Sequence, residues 1–367
     1  MRPDHENRAL TGLRGVAALL VCVHHLVLHL GAPPSPARAL ALRGYLMVDL
    51  FFVLSGFVMA LAYEGWFARG LDAERYARFL WRRFARLWPL HAFLIAVLLG
   101  SQALDGHVWV WWRMAAANVA MVQAWGVSKT LNVPSWSLSA EWGAYALFPL
   151  LSWLALRGRP ARAVVTTVAA VAALAGAAYL GAFRPSGRRG PLDLYDNYSL
   201  LPLARCLAGF TLGLVARRAM HEAALARRLA HPAWAGAAAA LLAAGLALGM
   251  ADWLAYPLLV VLVAALWAGS AGLSRALAAP WPHRLGVWSY ALYLVHVPLI
   301  DAWVGAGGPS SAPLAAPLAT GAFLLALSVA AAAVLHGLVE LPARRALRRL
   351  EPPGRAAVVA TGQPLRG

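Results

Sequence analysis

The sequence carries very little charge for its length. Of its 367 residues only 13% are charged, Lys129 is the single lysine, and 61% are hydrophobic, with a mean hydropathy of +0.63. Soluble domains carry about 25% charged residues. This composition excludes an ordinary soluble enzyme and indicates a polytopic membrane protein.

Cysteine and phosphate-binding motifs are also scarce. The two cysteines, Cys22 and Cys206, both lie within apolar stretches, and no spacing suggests a disulfide framework or a zinc site. No Walker motif or glycine-rich phosphate loop is present. We therefore expect neither disulfides nor a metal cofactor.

The charge that remains is strongly basic. The formal net charge is +17, which raises the alternative of a nucleic-acid-binding protein. However, the arginines lie in short patches between apolar stretches, the pattern that the positive-inside rule produces. The partner that this pattern predicts is a lipid bilayer, and no nucleic acid.

Ten apolar stretches predict an all-α polytopic membrane protein of about ten transmembrane helices. With ten spans both termini lie on one side, and 23 of the 32 basic residues then share that side, against 7 on the other. This asymmetry predicts that both termini are cytoplasmic. We expect residues 1–345 to form the membrane domain, with the first span retained rather than cleaved, and residues 346–367 to form a disordered cytoplasmic tail. The predicted spans are 9–30, 45–63, 87–104, 139–156, 163–182, 200–216, 231–250, 253–271, 286–305 and 316–340.

Two ionisable residues mark the first span. Arg14 and His25 are eleven residues apart, and at about 100° per residue their side chains are only about 20° out of line. At about 1.5 Å per residue they lie roughly 16 Å apart along the helix. Because ionisable residues in a membrane are costly, such residues are functional candidates. The pair predicts a polar path through the bilayer.

Two carboxylates are predicted to lie at the depth of His25. Asp49 lies near the start of the second span and Glu141 near the start of the fourth. Both spans start on the side of the membrane toward which His25 lies. A carboxylate can orient a histidine ring and stabilise its imidazolium, so either could support His25 as a base or nucleophile. The alternative is a buried polar cluster that only joins helices. Which carboxylate serves His25 stays open.

A second histidine lies in the ninth span. His296 is two residues before Pro298, which cannot donate a hydrogen bond to the carbonyl of Leu294, so we expect a kink there. A histidine on a kinked helix could line a cavity or could serve packing alone.

The stretch before the third span is rich in arginine. Arg75, Arg78, Arg82 and Arg86 recur on one helical stripe. One interpretation is an amphipathic helix lying on anionic lipid. The other is a cytoplasmic site for the phosphates of a nucleotide-bearing donor such as coenzyme A, held by Arg14, Arg82 and Arg86.

Several of these segments together resemble the membrane-bound acyltransferase-3 family, typified by glycan O-acetyltransferases. Arg14 and His25 match its Arg-x10-His motif, and 48–57 (VDLFFVLSGF) matches its second-helix signature. The segments 82–89, 136–141 (WSLSAE) and 289–296 (SYALYLVH) resemble its other signatures. The chain departs from many members at Thr11 and Trp142, where they carry acidic residues.

The resemblance implies transfer of an acyl group, commonly acetyl, from cytoplasmic acyl-CoA to a hydroxyl of a carbohydrate or other sugar-containing acceptor. It implies His25 as catalytic base or acyl relay, and Trp136, Ser139 and His296 as substrate-binding candidates. The expected location is the bacterial cytoplasmic (inner) membrane. Two alternatives are a proton-coupled transporter of an acylated or saccharide solute and a non-catalytic subunit of a polysaccharide machine. The acyl chain, the acceptor and the oligomeric state stay open.

Overall fold

The fold is a bundle of α-helices. It is described by a computed structural model, in which residues 7–67, 70–104, 112–183, 190–194, 198–307 and 315–352 can be described. The predicted tail therefore lies outside the described residues from 353 onward. The helices are α1 (Arg8–Leu30), α2 (Pro36–Leu42), α3 (Met47–Tyr63), α4 (Ala73–Leu104), α5 (Trp112–Val119), α6 (Ser135–Ala146), α7 (Phe148–Leu156), α8 (Pro160–Ala182), α9 (Leu201–Ala219), α10 (Ala223–Leu229), α11 (Pro232–Ala247), α12 (Ala255–Ala268), α13 (Leu273–Leu277), α14 (Pro280–Gly305), α15 (Ala315–Leu335) and α16 (Leu341–Arg349).

The all-α polytopic prediction is confirmed. Each of the ten predicted spans coincides with one helix or with two consecutive helices. Within the described residues, six segments are long and apolar enough to cross a membrane, or seven if the bent pair α10 and α11 is one span. The six are Arg8–Leu30, Gly44–Tyr63, Ala73–Leu104, Pro160–Ala182, Pro280–Gly305 and Leu318–Arg349.

The third span differs from the prediction at its start. The arginine-rich stretch, expected as a separate loop helix, is the first part of α4, which runs unbroken for 32 residues. At about 1.5 Å per residue such a helix is about 48 Å long, well beyond a hydrocarbon core of about 30 Å. The basic part of α4 therefore extends beyond the apolar layer.

Contacts between helix ends define two sides of the bundle. On one side Arg217 lies 3.2 Å from Glu64, and Arg82 lies 2.9 Å from Glu351 near the last described residue. We call this the basic side; α1, α4 and α14 begin there. On the opposite side, called the far side, Arg43 pairs with Asp252 at 2.5 Å, just before α3 and α12 begin. The helices thus alternate in direction, as the spans predict.

Helices α1 and α14 run parallel and in register. Gly15 faces Gly286, and a Cβ added to Gly15 would lie 2.5 Å from the Gly286 nitrogen, so the two backbones leave no room for a side chain. Higher in the same pair His25 meets His296 at 3.1 Å, and His29 meets Asp301 at 3.2 Å. Glycine at the close approach is what lets these two helices bring their histidines together.

Helix α14 continues through Pro298 because another side chain satisfies the carbonyl that the proline frees. The Nδ2 atom of Asn132 donates a hydrogen bond of 2.9 Å to the carbonyl of Leu294. Asn132 is itself buried, in the turn before α6. A freed carbonyl in an apolar bundle needs such a donor. Asn132 therefore ties the helical turn before Pro298 to the segment that leads into α6.

Candidate active site

A cavity of about 200 Å³ lies between α1, α3, α4, α6 and α14. Its polar lining comprises three arginines, three serines, three tyrosines and Glu141. Apolar side chains of α3, α4 and α6 complete the wall. A concave space with several convergent polar groups is the usual form of a small-molecule site.

The arginines of the cavity come from two helices. Arg14 of α1 lines it together with Arg83 and Arg86 of α4. Arg83 donates to the Tyr63 hydroxyl at 2.9 Å, and Arg86 forms an ion pair with the buried Glu340. The cavity wall thus carries positive charge on the part of α4 that leads to the basic side.

Glu141 lies at the centre of a short hydrogen-bond cluster in the same cavity. The hydroxyls of Ser55 and Tyr145 each donate to its Oε1 atom at 2.5 Å. The end of α6 beyond it reaches the basic side, where the Tyr76 hydroxyl donates to the Ala146 carbonyl at 2.6 Å. A carboxylate that accepts hydrogen bonds from two hydroxyls is fixed in position, and its charge strengthens those hydrogen bonds.

A polar path leads from the cavity to His25. The Oγ atom of Ser137 lies 2.8 Å from the Tyr293 hydroxyl, and both residues line the cavity. Tyr293 is one turn before His296, with ring centroids 6.0 Å apart. His296 Nε2 then lies 3.1 Å from His25 Nδ1. His25 is therefore beyond the end of the cavity, separated from it by Tyr293 and His296.

Comparison with known proteins identifies the family of the chain. The acyltransferase-3 profile, described as "Acyltransferase domain", matches residues 7–337, nearly the whole chain. The chain belongs to the acyltransferase-3 family. It is similar to "Acyltransferase MdmB" of Streptomyces mycarofaciens, with 32% identity over 395 aligned residues that cover 97% of this chain and 96% of the relative.

A second relative matches a shorter region. "Protein 2 in picA locus" of Rhizobium radiobacter is 42% identical over 96 residues, which cover 26% of this chain and 46% of that protein. No solved structure matches the chain. The family and the helices together make the protein a multi-pass membrane acyltransferase.

Only some of the arginines predicted for the donor line the acyltransferase cavity. Arg14 and Arg86 do, but Arg82 does not: it hydrogen-bonds Glu351 and stacks over Trp66 at 4.8 Å. Adjacent residues of a helix point about 100° apart, and it is the neighbouring Arg83 that faces the cavity. Of the predicted arginine stripe, the structure thus brings Arg86 to the cavity and turns Arg82 toward Glu351.

Arg82 and Arg78 instead hold the end of the described chain. Both donate to the carboxylate of Glu351, at 2.9 and 3.1 Å. Burial raises the pKa of Glu351, but these two hydrogen bonds outweigh it and hold its pKa below the usual value. Glu351 is thus an ionised partner that fastens the segment after α16 to α4.

In the motif of α6, the first serine rather than the second reaches the cavity. Ser137 and Leu138 line it, whereas the buried Ser139 accepts a hydrogen bond from the Ala124 amide at 3.0 Å. Trp136 packs edge-on against Phe52 and lies under the Arg205 guanidinium. Trp136 and Ser139 therefore do not line the cavity, and their contacts fix the local backbone.

Asp49 makes a different pairing from the one predicted for it. Arg205 donates to both of its carboxylate oxygens, at 2.8 and 2.5 Å, and the Tyr256 hydroxyl donates at 2.5 Å. Asp49 and Arg205 are both buried, on α3 and α9. The sequence placed Asp49 at the depth of His25 but could not give its rotation about α3, which turns it toward α9.

The other histidines of α1 have separate partners. The buried His24 contacts the carbonyl of Ala41 through Nδ1 at 3.0 Å. His29, near the far side, lies with its Nε2 atom 3.2 Å from the Asp301 carboxylate. Within the described residues, no group of three or more His, Cys, Asp and Glu side chains could hold a metal ion.

Sequence reasoning missed several cavity residues. Tyr145 follows Glu141 by one helical turn, Ser55 lies within the second-helix signature, and Tyr293 precedes His296 by one turn. For Tyr145 and Tyr293 the available signal was their spacing from an already suspected residue, because positions three and four apart share a helix face.

Proposed function

We propose that this acyltransferase moves an acyl group, acetyl in the first instance, from cytoplasmic acyl-CoA to a hydroxyl of a sugar-containing acceptor. His25 acts as the catalytic base or as an acyl relay. The observation that carries the proposal is the cavity with its three arginines, from which Ser137, Tyr293 and His296 lead to His25.

The arginines support the choice of donor. Guanidinium groups suit phosphate oxygens because their donors match phosphate geometry. The cavity, at about 200 Å³, is smaller than the roughly 300–1,000 Å³ of pockets for drug-sized ligands. It would therefore hold the thioester-bearing arm of coenzyme A, with the nucleotide outside at the basic side. In this proposal the basic side faces the cytoplasm, and the membrane is a bacterial cytoplasmic membrane.

The chemistry needs a base at the acceptor end. His25 takes the proton of the acceptor hydroxyl, the oxygen bonds to the thioester carbonyl carbon, and the carbon–sulfur bond breaks. In the relay variant a His25 nitrogen bonds to the carbonyl carbon first, as the carbon–sulfur bond breaks. The acceptor oxygen then takes the acyl group as the carbon–nitrogen bond breaks, and its proton goes to the freed ring nitrogen. Glu141, fixed by Ser55 and Tyr145 in the donor cavity, is the carboxylate that supports transfer from the donor side.

Purified protein in sealed liposomes, given labelled acetyl-CoA on one side and a panel of saccharide acceptors on the other, tests this function. We expect free thiol to form in step with labelled acceptor. Protein-free liposomes are the control. Acceptor crossing the membrane without thioester consumption would contradict the proposal and indicate a carrier instead.

A further inference from the structure

The contact between His25 and His296 is built by the parallel register of α1 and α14. The same register brings Gly15 to Gly286 below the pair and His29 to Asp301 above it. His296 is fully buried. A contact of 3.1 Å between two ring nitrogens lies within hydrogen-bond range, so one nitrogen must carry the proton and the other must accept it.

The helix carbonyls decide which nitrogen carries the proton in each ring. His25 Nδ1 lies 3.0 Å from the Val21 carbonyl, and His296 Nδ1 lies 3.0 Å from the Leu292 carbonyl. A carbonyl oxygen can only accept, so each Nδ1 is the donor of its ring. In the neutral state the lone pair then lies on Nε2 of both rings.

These two tautomers fit each other. The Nε2 atom of His296 accepts from the Nδ1–H of His25, which it shares with the Val21 carbonyl. The lone pair of His25 is left on Nε2, the nitrogen that can take a proton or bond to an acyl carbon. After Nε2 takes a proton, both acceptors still face the Nδ1–H and stabilise the imidazolium.

From this geometry we infer that His296 is the positioning residue of His25, holding it in the Nδ1–H form with Nε2 as the reactive nitrogen. The inference rests on the proposed function. His296 thereby takes the place that a carboxylate occupies in many catalytic triads. During transfer the acceptor proton goes to His25 Nε2 and then to the leaving thiolate as the carbon–sulfur bond breaks, and His296 keeps its own proton throughout.

Several polar side chains near the histidine pair have contacts of their own. His24 is turned to the Ala41 carbonyl, His29 is paired with Asp301, and Tyr293 meets Ser137. Asp49 is held by Arg205 and Tyr256. His25 Nδ1, in turn, meets the Nε2 atom of His296.

Replacing His296 by an acceptor and by a non-acceptor of similar size separates positioning from packing. Glutamine can offer an oxygen near the place of Nε2, whereas methionine fills the space without a comparable acceptor. We expect His296→Met to lower kcat about ten- to a hundredfold with an unchanged donor KM, the cost of one charge-assisted hydrogen bond. His296→Gln should lose less than tenfold. The buried His91, bonded to the Asn118 carbonyl away from the cavity, is the matched control, and its Gln and Met variants should keep kcat.

Equal kcat for the Met and Gln variants, or an effect on donor KM alone, would overturn the inference. An independent readout is nitrogen NMR of the wild-type protein labelled at histidine, in lipid nanodiscs at mildly alkaline pH. The His25 signals are identified by their loss in His25→Asn. We expect protonated Nδ1, and protonated Nε2 in the neutral ring would overturn the inference even if every His296 variant misfolded. Absence of transfer by the wild-type protein would instead refute the proposed function, while the NMR result would still decide the tautomer.

Discussion

Replacing Asp49 by alanine should destabilise the fold rather than stop the chemistry. Asp49 and Arg205 are 0% and 1% exposed, and the carboxylate accepts three hydrogen bonds from Arg205 and Tyr256. Removing it leaves a buried guanidinium whose remaining hydrogen bonds within the described part of the chain go to the carbonyls of Tyr45 and Leu194. Breaking a buried pair in this way costs about 3–5 kcal/mol.

The assay is thermal stability of the detergent-solubilised protein, read as the temperature at which half of it loses its monodisperse peak. Glu64→Ala is the matched control, because the Glu64–Arg217 pair is partly exposed and lies at the basic side. Exposed pairs contribute about 0–1 kcal/mol. The shift for Asp49→Ala should therefore be several times that of the control.

A double variant completes the test. Asp49→Leu combined with Arg205→Met removes both charges, and such apolar replacements of buried pairs are often neutral or stabilising. It should regain most of the lost stability. If Asp49→Ala keeps wild-type stability but loses turnover, the carboxylate acts in the reaction, and its assignment to a structural ion pair is wrong.

Three further outcomes are expected. Arg83→Ala should raise the donor KM about tenfold or more through loss of a charge-assisted contact, while Arg82→Ala, which removes no cavity residue, should leave it near wild type; the reverse order would place the donor on the other face of α4. The native cysteines are buried, so a single introduced cysteine reports on its own position. Ala37→Cys on the far side should react with an impermeant maleimide in intact cells, and Ser270→Cys on the basic side should react only after lysis. The opposite pattern would mean that the topology is the reverse of the one expected. Asn132→Leu should cost about 1–3 kcal/mol by leaving the Leu294 carbonyl without its donor, which a thermal shift no larger than that of a surface variant would contradict.

The periodicity of the sequence predicted the bundle well. The prediction used the length of each apolar stretch, the alternation of the stretches and the distribution of arginine between the loops. All of these can be read from single segments, and the structure brings the helix ends together as expected. The spacing of Arg14 and His25 gave a polar stripe on α1 for the same reason. Depth in a membrane can be estimated from one helix alone.

Rotation and neighbours could not be estimated in that way. Asp49 was placed at the depth of His25 but faces Arg205 on α9, 156 residues away in sequence. His296 meets His25 across 271 residues through two glycines whose role only the packing reveals. Arg82 and Arg83 differ by one position yet face Glu351 and the cavity. These choices depend on which helices become neighbours.

Turnover of His25→Ala beside His24→Ala tests the central claim most directly. Both residues are on α1, but His25 meets His296 whereas His24 is turned to the Ala41 carbonyl. The two variants are compared at matched amounts of folded protein in liposomes with acetyl-CoA. If His25 is a general base, the transfer rate of His25→Ala should fall by at least about 10²–10⁴-fold. If His25 is an acyl relay, His25→Ala should lose all transfer. His24→Ala should stay within about tenfold of wild type, as expected for the loss of one ordinary hydrogen bond. Near-normal transfer by His25→Ala would contradict the account.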